Sequence, residues 1–549
     1  MIYLSTLLLS LFITISLTPV FIKIAGKIKA LDMPDKRKVH TAPIPRIGGA
    51  AMAIGVFVTM MLWGEVGQFL KAYVIGAIII VFFGVIDDSR GLTYKIKFAG
   101  QIAAALVIVC YGGLRIVNLG LLLPDGATVP SWIGVPLTVV LVVGVTNAIN
   151  LSDGLDGLAG GLSLLGFCCI GYLAYLEGNL IIALISIALI GAIFGFLRFN
   201  TYPASLFMGD TGSQFLGFSL VVTSVSLTQG ATALSPVLPL IIFGFPVLDT
   251  ITVMVSRLLE GRSPFMPDKK HFHHRLIGVG FYHTEAVLII YVIQAALVTS
   301  AFVFRFYSEW VLLIGYVVFA LLFVGAFIEA SRRNFTVKRF SIIDDVVKGR
   351  LKVLKERGIF IIVIFKIIEF GVPLLLFITC FIPRTIPVFV SFVSAFLIAF
   401  VVIVWVLKKS RLRPVLTITL YLLIPFIVYL STTDARWSAG SHEYVDFIYN
   451  SLFVFVAFFV VLTLKFTRRK RGFKVTPMDF LIFFIALVAP YVAGTYTKYS
   501  EIGAMAAKTI VMFFSFEVLM GELRGRFDKL TFATVCVLLA LTARGFLEA

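Results

Sequence analysis

Apolar runs of about 20 residues, each long enough to cross a bilayer as one helix, recur along almost the whole chain between short polar stretches. The first runs from Tyr3 to Ile22 and the last ends near Ala543. About eighteen such runs can be drawn, which predicts an all-α fold, a polytopic transmembrane helical bundle. No Lys or Arg precedes the first run, whereas Lys23, Lys27 and Lys29 follow it. A cleaved secretory signal has its positive region first, so this helix is expected to be retained with its N-terminus outside.

One inward segment is longer than the others. Between Phe335 and Gly358, Ile343, Val347, Leu351 and Leu354 recur at helical spacing. Asp344 and Asp345 stand early in it, and Lys348, Arg350, Lys352, Lys355 and Arg357 stand around or after them. That order suits a basic amphipathic helix lying on the cytoplasmic leaflet, acids toward its N-terminus and bases toward its C-terminus. It divides the chain into a membrane domain over 1–334 with about eleven spans, a linker over 335–358, and a further membrane domain over 359–549 with about seven, whose role no motif indicates.

Composition agrees with the pattern. Of 549 residues, 60% are hydrophobic and 14% charged, with a mean hydropathy of +1.03, far from a soluble domain's balance. Soluble dinucleotide-binding, barrel and nucleic-acid-binding folds are thereby set aside. The formal charge of +18 suggests an anionic partner until the charges are placed. With alternating spans, most of the 47 Lys and Arg fall in inward loops, so the excess reports orientation and no nucleic acid is expected. The five cysteines lie within apolar runs without a CxxC, which indicates neither a zinc site nor a disulfide framework.

A carboxylate in a membrane span is costly and calls for an explanation. Asp87, Asp88, Asp153, Asp156, Asp210 and Asp249 all fall at expected cytoplasmic ends of the N-terminal spans, arriving from four of them, and so could meet at one site. In FFGVIDDSRGLTYKIKFAGQ, neighbouring helical residues point about 100° apart, so Asp87 and Asp88 cannot both face one ligand. One is expected at the reacting group and the other orienting a metal or a lysine; a solvated Asp-Asp turn is the simpler reading of the pair alone.

In NAINLSDGLDGLAGG, Asn147, Asn150 and Asp153 recur every three residues along one expected helical stripe, and glycines follow beside Asp156. Amides and carboxylates with glycine between them suit close contact with a polar ligand. In FNTYPASLFMGDTGSQFLGF, Asn200, Phe207 and Asp210 precede a span expected to begin near Gly212. A base could stack on Phe207, or that ring could pack at the membrane interface. Asp210 offers a hard oxygen suited to Mg²⁺.

In PVLDTITVMVSRLLEGRSPFMPDKKHFHHRLIGVGF, His271, His273 and His274 lie beside Lys269, Lys270 and Arg275, an anion site for phosphate. His271 and His274 would share a helix face. Zinc is the rival chemistry, disfavoured by three ligands within four residues and no cysteine. The first inward loop adds Lys36, Arg37, Lys38, His40 and Arg46, by itself only an orientation signal. No phosphate-binding GxxxxGK[ST] or GxGxxG occurs.

In this order, RKVH with PRIGG, the DD pair, NxxNxxDGxDG, NTYPASLFMGDTGS and PDKKHFHHR resemble the polyprenyl-phosphate N-acetylhexosamine-1-phosphate transferase family, of the WecA/TagO type and related to MraY. The resemblance covers residues 1 to about 330. HFHHR is closer to the WecA/TagO pattern than to the three consecutive histidines of the MraY branch, which makes a phospho-N-acetylmuramoyl-pentapeptide transferase the alternative. What the resemblance implies is transfer of an N-acetylhexosamine 1-phosphate, most commonly GlcNAc 1-phosphate, from a UDP-sugar to polyprenyl (undecaprenyl) phosphate. UMP is released, Mg²⁺ is required with Mn²⁺ as a substitute, and the bacterial inner membrane is the site, with the chemistry on its cytoplasmic face. A homodimer is compatible with it.

By the same resemblance Asp210 corresponds to the metal ligand, and Asp87 or Asp88 would assist the attacking lipid phosphate. Asn150, Asp153, Asp156, Asn200 and Phe207 would take the uridine and nearby polar groups. Lys97, His271, His273, His274 and Arg275 would handle phosphate and sugar, His274 with a catalytic part, although Lys95 also fits the spacing expected of Lys97. A secondary transporter would instead place its acids near mid-bilayer on broken helices. In the C-terminal domain, Lys366 and Glu369 could pair within one span.

Overall fold

A computed structural model describes residues 2–33, 43–64, 67–124, 127–263, 270–333, 359–433, 443–466, 500–523 and 525–547. The basic segment 335–358, the cluster Lys36 to His40, and Lys269 lie outside the described residues. The chain divides into two compact units, the first spanning Met1–Val337 and the second beginning at Lys338.

The first unit is a bundle of helices α1 (Ile2–Ile28), α2 (Gly48–Trp63), α3 (Gln68–Arg90), α4 (Tyr94–Leu106), α5 (Ser131–Leu151), α6 (Leu158–Leu176), α7 (Leu180–Asn200), α8 (Gly209–Thr228), α9 (Leu238–Ile242), α10 (Gly244–Leu259), α11 (Phe272–Val279), α12 (His283–Val303) and α13 (Glu309–Arg332). Across both units, eleven helices among the described residues are long and apolar enough to cross a bilayer. An all-α, multi-pass membrane protein follows from them. At 16 residues α2 is shorter, and the run at 238–259 is broken into α9 and α10 around Phe243.

Helix α8 is the axis of the unit. Every residue from Gly209 to Thr228 is buried except Asp210 and Ser226, with α2, α3, α5 and α6 packed around it. Surrounded by protein, it tolerates the hydroxyls that a lipid-facing helix would avoid. Small residues allow the close approach: a Cβ on Gly49 would collide with the backbone of Gly212, and one on Gly217 would press on Thr146 of α5. On the far side, the α1 stripe Thr6, Ser10, Thr14 and Thr18 is fully buried, and Ser10 Oγ donates to the Ala188 carbonyl of α7 at 2.7 Å. A two-residue antiparallel ladder, β1 (Leu31–Asp32) with β2 (Ile44–Pro45), sets the chain back before α2. Its continuation, Phe207 N–H to Pro45 O at 2.8 Å and Gly48 N–H to Phe207 O at 3.0 Å, clamps the start of α2 to the segment entering α8.

In the second unit, helices Ile359–Thr379, Val388–Leu407, Leu412–Thr433, Glu443–Phe466, Ser500–Glu522 and Asp528–Leu547 enclose a core that includes Val372, Leu416, Ile424, Met512 and Leu538. Among the described residues Glu369 pairs with Lys529 of the packed helix Asp528–Leu547 at 3.0 Å, in place of the expected Lys366, which is exposed.

Candidate active site

The C-terminal turn of α3 delivers both aspartates of the DD pair, and they do different things. Asp88 closes the N-terminus of α8. Its Oδ1 accepts from Asp210 N–H at 2.8 Å, and its Oδ2 accepts from Thr211 N–H at 3.0 Å and from Thr211 Oγ1 at 2.6 Å. A helix start has free N–H groups and a positive end, so a buried carboxylate there satisfies donors and field together. Gly209 makes the junction possible, because its φ is +70° and any Cβ would run into Asp88 Oδ2. Helix α8 therefore begins at Gly209, not near Gly212, and Asp210 stands in its first turn.

Asp87 turns toward α4. Its Oδ1 accepts from Leu92 N–H at 2.6 Å, and its Oδ2 lies 2.5 Å from Lys97 Nζ. The same ammonium donates to Asp210 Oδ2 at 2.7 Å, so one cation bridges two carboxylates from different helices. Lys95 is exposed on the other face of α4, and Lys97 takes the place between the acids. Arg46, just after β2, adds a second cation at 3.8 Å from Asp210 and 3.9 Å from Asp88, and reaches Asp32 at 3.6 Å. Sequence reasoning gave Arg46 no role beyond orientation; nothing in its loop signals that the chain turns back onto α8.

Helix α5 ends at Leu151, so Asp153 does not continue the stripe of Asn147 and Asn150 but sits in the turn beyond it. Asn150 Oδ1 accepts from Ser213 of α8 at 2.9 Å, which ties this end of α5 to the turn after Asp210. Burial pushes the Asp153 carboxyl up to about 7, with Asp210, Asp88 and Asp156 adding to the effect and Arg46 opposing it. Asp153 thus belongs to the same charge cluster. Asp156 Oδ2 accepts from Ala204 N–H at 2.9 Å, and its own N–H meets His283 Nε2 at 3.2 Å, while His283 stacks on Tyr202 with ring centroids 4.6 Å apart.

Asn200, expected at the nucleotide, is 2% exposed. Its Oδ1 accepts from Gly157 N–H at 2.9 Å and its Nδ2 donates to Leu206 O at 2.8 Å, so its amide fixes the DGLDG turn to the segment before α8 from within the protein. Phe207 is half-buried between β2 and α8.

Helix α11 carries the histidines. Asp249 of α10, which sequence reasoning named without a role, caps it: Oδ1 accepts from Phe272 N–H at 2.9 Å, and Oδ2 lies 3.0 Å from His271 Nδ1. No spacing links residues 249 and 271, which is why the pairing was not legible. His271 stands at the N-cap of α11, one position before the helix that carries His274. The rings follow one another, His271 to His273 at 5.8 Å and His273 to His274 at 4.2 Å. His273 is buried against Gly154, where a Cβ would collide with its ring, and its Nε2 has no hydrogen-bond partner in the protein. Burial, then the neighbouring His274, His271 and His283, push its pKa down to about 3. It is neutral near pH 7, so it adds no positive charge to the expected anion site. Arg275 lies over the Phe272 ring at 5.7 Å.

The structure therefore brings Asp87, Asp88, Lys97, Asn150, Asp153 and Asp210 together around the start of α8, and joins α11 to them through Gly154. Among the described residues, no group of three or more His, Cys, Asp or Glu could hold a metal unaided. The donor set still fits Mg²⁺, which is usually held by one or two carboxylates with the rest supplied by phosphate and water. Asp210 and Asp87 already share one cation in Lys97.

Comparison with known proteins finds a matching family and similar chains. The family model described as glycosyl transferase family 4 matches residues 70–228, the stretch from α3 through α8. A probable undecaprenyl-phosphate N-acetylglucosaminyl 1-phosphate transferase of Bacillus subtilis (strain 168) is 39% identical over 325 residues, 57% of this chain and 88% of that one. The undecaprenyl-phosphate alpha-N-acetylglucosaminyl 1-phosphate transferase of Escherichia coli (strain K12) is 34% identical over 367 residues, 64% of this chain and 96% of that one. The decaprenyl-phosphate N-acetylglucosaminephosphotransferase of Mycobacterium leprae (strain TN) is 36% identical over 301 residues, 49% of this chain and 75% of that one.

Proposed function

This chain belongs to the family of undecaprenyl-phosphate N-acetylglucosaminyl 1-phosphate transferases, and on that premise we propose how its first unit performs the reaction. It transfers GlcNAc 1-phosphate from UDP-GlcNAc to polyprenyl phosphate and releases UMP. An oxygen of the lipid phosphate attacks the donor β-phosphorus, and the bond from that phosphorus to the bridging oxygen breaks. The electron pair leaves on UMP. A phosphate monoester has its second pKa near 6, so the acceptor is already largely dianionic and needs no base. Direct attack is therefore favoured over an aspartyl-phosphate.

What carries this reading is the placement of Asp210 and Asp87 on either side of Lys97. Two phosphorylated reactants repel one another, and the site must offset that repulsion. Asp210, with Asp87 as its neighbour, would hold Mg²⁺ or Mn²⁺, whose chemistry is to neutralise the diphosphate. Lys97 and Arg46 supply fixed positive charge as charge moves onto UMP. Asp88 orients Asp210 through the backbone of α8 and does not touch substrate. Asn150, Asp153, Asp156 and Phe207 face the uridine side, and His271, His274 and Arg275 the phosphate and sugar side. Asn200 positions the turn between them.

The topology in this reading has about eighteen spans with the N-terminus outside, which puts these loops at the cytoplasmic face of the inner membrane. The described helices from Ile359 onward form an additional membrane domain. A homodimer is compatible with it. The test supplies the purified full chain in detergent with radiolabelled UDP-GlcNAc, undecaprenyl phosphate and Mg²⁺. Label is expected in a lipid whose mass is that of undecaprenyl-diphosphate-GlcNAc, and none without the metal. Label confined to water-soluble products contradicts the reading.

A further inference from the structure

Directly beneath the charged site, inside the bundle, lies a polar cluster that the reaction does not use. Gln101 of α4 and Gln214 of α8 are each 2% exposed, and Asn147 of α5 is half-buried beside them. Gln101 Nε2 lies 3.1 Å from Gln214 Oε1 and 3.3 Å from Asn147 Oδ1. Asn147 Nδ2 donates in return to Gln101 Oε1 at 2.6 Å and to the Val143 carbonyl at 2.8 Å. Gln101 thus joins an amide from each of two other helices at a level where apolar side chains would be cheaper.

Their positions along the helices are not arbitrary. Gln101 follows Lys97 by four residues, Gln214 follows Asp210 by four, and Asn147 precedes Asn150 by three. Residues three or four apart share a helix face and lie about one turn apart along it. Each amide therefore stands one turn below a site residue on its own helix. A slip of one helix along its axis would break its amide bonds and, by the same displacement, its contact above them: Lys97–Asp210 for α4, Ser213–Asn150 for α5, and both for α8.

We infer that Gln101, Asn147 and Gln214 are positioning residues, an amide latch that fixes the axial register of α4, α5 and α8 and so holds Lys97, Asn150 and Asp210 in the geometry that phosphoryl transfer requires. The inference rests on the transferase reading of this site. Reactions of this kind depend on placement, and an error of about 1 Å can cost on the order of 100-fold in rate. Lys97 and Asp210 act where charge moves and Asn150 on the bound donor, so loss of the latch lowers kcat more than it raises KM for UDP-GlcNAc.

The test compares Gln101→Leu with the triple variant Gln101→Leu, Asn147→Leu, Gln214→Leu, both as the full chain in detergent. The single change leaves two buried amides short of partners, whereas the triple change removes the polar groups altogether, a replacement that is often neutral for stability. The expected result is kcat lowered at least about 10-fold in both, with KM within about 3-fold and with the triple variant melting close to the unaltered protein. Normal kcat in the single variant, recovery of kcat together with stability in the triple variant, or a loss carried by KM alone would each overturn the latch. No lipid-linked product from the unaltered chain would instead sink the transferase reading, so the two failures are distinguishable.

Discussion

At the residue scale, Asp88 and His274 carry separable predictions. Asp88 accepts three hydrogen bonds from the first turn of α8, so Asp88→Ala strands buried donors. It is expected to destabilise the protein by on the order of 3 kcal/mol, read as a lowered melting temperature in detergent. His274 is expected at the donor, and His274→Ala should raise KM for UDP-GlcNAc about 10-fold, a loss near 1.4 kcal/mol, with the melting temperature unchanged. Unaltered donor kinetics would reduce it to a surface group.

Asp153 predicts a pH dependence. A carboxyl raised to about 7 in the fold keeps a proton that the unfolded chain has lost. Stability is therefore highest below the ordinary carboxylate range and falls as pH rises toward 7. His273, lowered to about 3, acts in the opposite sense: the unfolded chain binds the proton first, and stability is lost as pH falls below about 6.5. Asp153→Asn removes only the first contribution. Compared with the unaltered, metal-free protein, it should melt higher at pH 8 and show little advantage at pH 4. The types of the site residues were legible because acids and amides at span ends are rare and costly. Which of them face the ligand was not: Lys95 and Lys97 fit the spacing equally, and Asn200 looked like a ligand group until its amide was seen bonded within the protein.

At the element scale, the site exists because α8 can be approached from all sides and can begin abruptly. Gly209 is where both requirements meet. Gly209→Ala forces a left-handed conformation on a residue with a Cβ and drives that Cβ into Asp88, an expected cost of at least about 2 kcal/mol in thermal unfolding. The same change at Gly261, which also has positive φ but has open space around it, should cost only the conformational part. Hydropathy found the lipid-facing helices readily, but the start of α8 was misplaced by three residues. The cause is Asp210 and Thr211, whose polarity suggests a loop, while Asp88 supplies the cap that makes helix possible. That cap lies 122 residues upstream and leaves no local trace.

At the scale of the whole molecule, the orientation proposed from charge asymmetry places Arg262 inside and Trp132 outside. Both are largely exposed, Trp132 at 76% and the Arg262 side chain at 61%. An impermeant maleimide should therefore modify Arg262→Cys faster than the unaltered protein only in inside-out vesicles, and Trp132→Cys only in right-side-out ones. The reverse pattern would invert the topology. The second unit, without a motif of its own, disclosed little in its sequence beyond its helices.

The central claim is that aspartates from separate helices converge where phosphate changes hands. It is tested most directly by UMP release from full-length Asp210→Asn in detergent with UDP-GlcNAc, undecaprenyl phosphate and Mg²⁺. A fall of at least about 100-fold is expected with the protein still folded; turnover close to that of the unaltered chain would show that Asp210 holds no metal needed for transfer.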